Sequence, residues 1–155
     1  MFESLLPVLQ GLINATKAMA SFDAFRKAQR GEARALIEEL KENSRPCFRV
    51  VADGVDHRQV IPKLSTTVFD RLNAAGFDFN ALQRRRIAPY PGLAASDLAP
   101  WSGKTTAALV SNIYDKLKDL RSRHEFTPEQ KFNRRRLINI HKRLLLLLRH
   151  ARDES

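Results

Sequence analysis

The chain has 155 residues, with 27 Lys+Arg against 17 Asp+Glu, a formal net charge of +10 and a pI near 10.4. Its 43% hydrophobic and 28% charged residues supply enough apolar material for one domain or two small lobes and too little charge bias for a disordered chain. A single cysteine, Cys47, excludes an intramolecular disulfide and a cysteine-built zinc site, and the longest apolar run, Leu144–Leu148, is far short of the roughly 20 residues that span a membrane.

Leu5, Leu6, Leu9, Leu12, Ile13 and Met19 recur at helical spacing and predict a first amphipathic helix. Glu3 precedes this stretch where a secretion signal would carry Lys or Arg, and Gln10, Asn14 and Lys17 interrupt it, so a cytoplasmic, reducing setting is expected. Ser21 caps a second predicted helix to about Asn43, with Phe22, Phe25, Ala33, Leu36, Ile37 and Leu40 inward and Gly31 as a weak point in its middle. Residues 47–61 admit a short β-hairpin around Asp53-Gly54 or a short helix closed by Gly54; the lack of further strands favours the second. Ile61, Leu64, Val68, Phe69 and Leu72 keep a helical period that Gly76 stops, and Asp78 or Asn80 starts a short helical turn after it.

Residues 88–101 hold Pro89, Pro91, Gly92 and Pro100 and read as a non-helical linker between candidate lobes 1–87 and 102–152 of a single helical domain. Ser102 caps a helix to about Arg123, with Ala108, Leu109, Ile113, Leu117 and Leu120 inward. Thr127-Pro128-Glu129-Gln130 combines an N-cap, a first-turn proline and a capping-box Gln, and opens a last helix to about Arg152. The fold class expected is an all-α bundle of about five to six helices.

The charge is unevenly placed. Residues 1–75 hold 11 basic and 9 acidic side chains, whereas residues 76–155 hold 16 and 8. At about 100° per residue, Leu137, Ile140, Leu144, Leu147 and Leu148 share one face of the last helix, and Lys131, Arg135, Lys142 and Arg149 form a stripe nearly opposite. Leu145 lies outside the apolar stripe, so this helix carries more grease than one packed face needs and is expected to meet a protein partner or a second copy. The basic set Arg84, Arg85, Arg86, Lys131, Arg134, Arg135, Lys142 and Arg149 is the candidate contact for a polyanion, nucleic acid first, because clustered Arg and Lys release counterions from phosphates. Aromatic interleaving is poor, with Phe132 the one aromatic in the last helix.

Ser102-Gly103-Lys104-Thr105 has the end of a phosphate-loop motif, but Leu98 stands where its first glycine belongs, and the cap of a helix is the simpler reading. Asp53, Asp56 and His57 lack the further ligands that would complete a metal site and read as a turn. No cofactor, metal or membrane contact is expected. Arg136 with His141, and Arg143 with His150, resemble in spacing the Arg-x4-6-His dyad of the HEPN superfamily, all-helical bundles that often dimerise and cleave RNA. The resemblance implies a metal-independent ribonuclease whose arginine stabilises charge on the phosphate while the histidine assists proton transfer. It covers a few residues, and the polar residue that commonly follows the family's arginine is replaced by Leu137 and Leu144. The reading preferred here is a non-enzymatic module, a small basic subunit of a larger or oligomeric assembly; the ribonuclease is the alternative.

Overall fold

Five consecutive leucines cannot share one helix face, because successive residues step by about 100°, so a helix that carries them must be enclosed on several sides. In the computed structural model, which describes residues 15–152, that is what Leu144–Leu148 do: all five are at most 1% exposed. They lie in the last of five helices of eight residues or more among the described residues: α1 Ala15–Lys27, α2 Glu32–Asp53, α3 Thr67–Ala74, α4 Thr106–Phe126 and α5 Phe132–Arg152. Helix α5 packs against α4, α2, α1 and the short turn His57–Val60, and the described residues contain no strand. The molecule is an all-α bundle built around its last helix.

The helix predicted from Leu5 lies largely outside the described residues. Ser21 is not a cap but an interior residue of α1, and the chain turns at residues 28–31 instead of running on to Asn43. Gly31 explains the break: its φ of 58° and ψ of −135° suit only glycine, so the expected weak point is the corner between two helices. Helix α2 then continues through Pro46 to Asp53. The hairpin alternative for residues 47–61 is not realised, because Cys47–Asp53 is helical, with Ala33, Leu36, Ile37, Leu40, Cys47, Phe48 and Val50 buried along the whole of α2. Gly54 closes it in the left-handed conformation, φ 68°.

Helix α2 also organises the chain that follows. The Asn43 side chain meets the Ser65 backbone on both sides, donating to its carbonyl and accepting from its N–H, each at 2.8 Å. One turn earlier, the buried Glu39 carboxylate accepts from Val68 N at 2.8 Å, Phe69 N at 3.1 Å and Ser65 Oγ at 3.0 Å. A neighbouring helix thus supplies the acceptor that orphan donors at the start of α3 need, and its charge suits the positive end of that helix. Phe69, so fixed, stacks between Phe79 and Tyr114 with ring centroids 5.1 and 4.2 Å away.

Residues 88–101, expected as a linker, fold into a closed loop. Gly103 N donates to Ile87 O at 2.8 Å and Ile87 N to Lys104 O at 2.9 Å, which clamps the loop at its base. Two of its apolar side chains, Leu93 and Leu98, are fully buried and join one apolar cluster with Leu36, Ile113 and Leu144. Helix α4 begins after this loop with Thr105 as its cap, accepting from Ala108 N at 3.2 Å; Ser102 belongs to the preceding turn. Helix α5 begins at Phe132, five residues after the predicted cap. Thr127 terminates α4 by donating its N–H to Arg123 O, and Gln130 uses its side chain on Arg136, so neither is free to build the capping box.

Candidate nucleic-acid interface

The antiparallel pair α4 and α5 separates the basic residues into two groups. At about 1.5 Å per residue, the 21 residues of α4 hold its ends about 30 Å apart. Near its start lie Arg84, Arg85 and Arg86, all exposed, beside Lys104 and Arg149. Arg84 is paired with Asp78 at 2.7 Å, and Arg86 donates to Gly103 O at 2.9 Å. Lys104 lies 5.3 Å from the centroid of Trp101, and the Arg149 guanidinium lies 3.7 Å from that of Tyr90, so two cations rest on aromatic faces from the closed loop. At the other end, Lys131 and Arg135 are exposed, with Arg135 over Phe132 at 5.9 Å, and Arg134 is half-buried.

Between the ends, the predicted stripe is covered. Lys142 is 2% exposed, and its ammonium donates to both carboxylate oxygens of Asp97 at 2.6 and 2.7 Å. The closed loop lies over the helix there, which takes Lys142 out of the phosphate-binding set. The apolar set Leu137, Ile140, Leu144, Leu145, Leu147 and Leu148 is likewise unavailable to a partner, because each is at most 1% exposed inside this chain's own core. The surplus grease of α5 is explained by its central position.

The Arg/His pairs are also drawn inward. His141 is 1% exposed, edge-on to Phe48, and burial pushes its pKa down to about 4. Arg136 instead reaches Gln130 and Asn133, at 2.9 and 3.1 Å. Arg143 is half-buried, donating to Asn112 Oδ1 at 3.1 Å and Asn139 O at 2.9 Å, and burial lowers its pKa. His150 is 5% exposed with Nε2 2.8 Å from the Thr106 hydroxyl, which itself donates to Gln83 O at 2.6 Å. Arginine and histidine in each pair have separate packing partners.

The remaining motifs resolve as structure. At the start of α4, Ala107 N is taken by Asn80 Oδ1 at 2.9 Å and Ala108 N by Thr105, leaving these donors no phosphate to hold. Asp56 caps the turn His57–Val60 through Arg58 N and pairs with the Arg58 guanidinium, which holds its pKa down to about 2. Among the described residues, no group of three or more His, Cys, Asp or Glu side chains could hold a metal, and no helix is long and apolar enough to cross a membrane. Cys47 is buried, its thiol pushed up to about 12, and donates to Asn43 O at 3.4 Å.

No family model, curated protein or solved structure matches this chain. The site must be judged on its own geometry. Two features of it escaped the sequence reading. Asp97 sits in a Pro/Gly-containing stretch with nothing local to mark it as the partner of a lysine 45 residues away. Phe126 ends α4, 82% exposed, and no periodic apolar pattern in the sequence marks it.

Proposed function

We propose that this protein is a non-enzymatic helical module that contacts nucleic acid through the two cationic ends of the α4/α5 pair, as a small subunit of a larger assembly. The observation that carries the reading is the distribution of unpaired charge. Several carboxylates elsewhere are paired: Asp23 with Lys41, Glu32 with Arg71, Glu38 with Arg26, Asp70 with Lys118 and Asp119 with Arg123. Among the described residues, no carboxylate lies within ion-pairing distance of Arg85, Arg86, Lys104, Lys131 or Arg135. Clustered cations left without an ion-pair partner raise the local potential and favour polyanion contact. The buried, lone Cys47 suits a reducing compartment, the cytoplasm.

The test is anisotropy of a labelled mixed-sequence oligonucleotide titrated with protein at several salt concentrations. Affinity is expected to fall about a hundredfold between about 50 and about 200 mM salt, the drop for about four neutralised phosphates. Arg85→Glu with Arg86→Glu, and separately Lys131→Glu with Arg135→Glu, should each weaken binding, and Lys142→Met should not. No binding at low salt would refute the reading. RNA is expected to survive incubation intact; cleavage that His150→Ala or Arg143→Ala abolishes would favour the ribonuclease instead.

A further inference from the structure

Among the described residues, Phe126 and Phe132 are the large apolar side chains left outside, at 82% and 56% exposure. They stand on either side of the turn between α4 and α5, which is closed by Gln130 N on Thr127 O, Asn133 N on Gln130 O and the Asn133 side chain on Thr127 O. Cations flank them along the chain: Arg121 and Arg123 in the last turns of α4, Lys131 in the turn, and Arg134 and Arg135 in the first turn of α5, against the acids Glu125 and Glu129. Arg123 is spent on Asp119, whereas Arg121 has no ion pair among the described residues and donates to the Thr66 hydroxyl at 3.4 Å, its charge also acting on the nearby Asp70. Along the last turns of α4 runs a groove of about 480 Å³ with Arg121, His124 and the Asp70-paired Lys118 on its wall and Ile61 and Pro62 as its apolar side; Glu125 is its acidic residue. The turn His57–Val60 packs against α5 close by, and His57 lies within electrostatic reach of His124 and Arg134.

We propose that the α4–α5 turn is a single-strand nucleic-acid site in which unpaired bases stack on Phe126 and Phe132 while the backbone phosphates engage Lys131 and Arg135 at the turn and Arg121 in the groove beside the end of α4. It rests on the polyanion reading above and adds strandedness to it. Stacking needs an accessible base face, which a duplex withholds, and needs rings that stand clear of their own core, which these do. The same rings suit a membrane poorly. Insertion into lipid calls for a continuous apolar helix face, whereas the apolar faces of α4 and α5 are consumed inside the bundle, and Glu125 and Glu129 sit beside the rings.

The experiment compares a labelled single-stranded oligonucleotide, the blunt duplex of the same sequence and phosphatidylserine-containing vesicles, each titrated with full-length protein. Wild type should prefer the single strand. Phe126→Ala with Phe132→Ala should raise its single-strand Kd about tenfold or more, with duplex affinity within about twofold, and Phe126→Tyr with Phe132→Tyr should retain wild-type binding. Because both rings are outside the core, these variants are expected to fold, which circular dichroism checks. Unchanged single-strand affinity in the alanine variant overturns the proposal, as does a tyrosine variant as weak as the alanine one. Vesicle binding that depends on both rings, without single-strand binding, assigns the tip to lipid and overturns it too. Equal binding of single strand and duplex, indifferent to the rings, sinks the tip site and leaves the polyanion reading standing; binding to neither oligonucleotide at low salt removes both.

Discussion

Acidification should weaken the fold through His141. Its imidazole is enclosed between α5 and α2, 4.4 Å from the Phe48 ring centroid at 73°, and neither ring nitrogen has a hydrogen-bond partner. Burial brings its pKa from 6.5 down to about 4, with the nearby Cys47 backbone opposing the shift. The unfolded chain takes up this proton near pH 6.5 and the folded chain only near pH 4, so between those values the unfolded state binds more protons. Stability therefore declines as pH falls through that window and levels off, for this residue, below it. At about 1.4 kcal/mol per pH unit the whole window is worth about 3 kcal/mol. His57, also held down by burial, adds in the same direction, while the ion-paired Asp23, Asp56, Asp70 and Asp78 contribute only in more acid solution. His141→Leu isolates the effect, since it removes the proton site and two unsatisfied nitrogens while keeping a similar volume. Urea unfolding followed by circular dichroism from pH 7.5 to pH 4 should show wild type losing about 3 kcal/mol relative to the variant. Parallel curves for the two proteins across that range would refute the assignment.

Two further outcomes follow from buried polar contacts. Asp97→Ala strands the Lys142 ammonium inside the protein and should cost about 2–3 kcal/mol in urea unfolding, less than for a fully buried pair because Asp97 is half-exposed. Lys142→Met in the same chain should restore most of that stability; a double variant as unstable as the single one would show that the ion pair is not the cause. Glu39→Ala removes the shared acceptor of Val68 N, Phe69 N and Ser65 Oγ and should destabilise by about 2 kcal/mol. Amide hydrogen exchange at Val68 and Phe69 should accelerate more than at Leu117, and uniform exchange would contradict the capping role.

The helical class, the stop at Gly76, a short turn starting at Asp78 and the inward positions Leu109, Ile113, Leu117 and Leu120 of α4 are readable locally, because periodicity and turn chemistry act over a few residues. What misled was each feature whose outcome depends on a distant partner. Thr127 and Gln130 have the right residues for a capping box, yet one ends the preceding helix and the other binds Arg136. Lys142 lies on the polar face of a helical wheel, but Asp97 arrives from the closed loop and buries it. The five leucines were legible as excess grease, and only the packing of α1, α2 and α4 around them shows that the excess is spent inside the chain. Pro46 within α2 illustrates the converse: a local helix breaker tolerated because buried residues on both sides hold the helix together.

The order in which the chain leaves the ribosome gives the central position of α5 a further meaning. Helices α1, α2 and α4 emerge first, each with an apolar flank covered by a helix made after them. Their burial waits on contacts between residues about a hundred positions apart, such as those of α2 with α5. Until Leu144–Leu148 have been synthesised, the nascent chain offers that uncovered surface to its surroundings, and chaperone binding should cease once α5 docks.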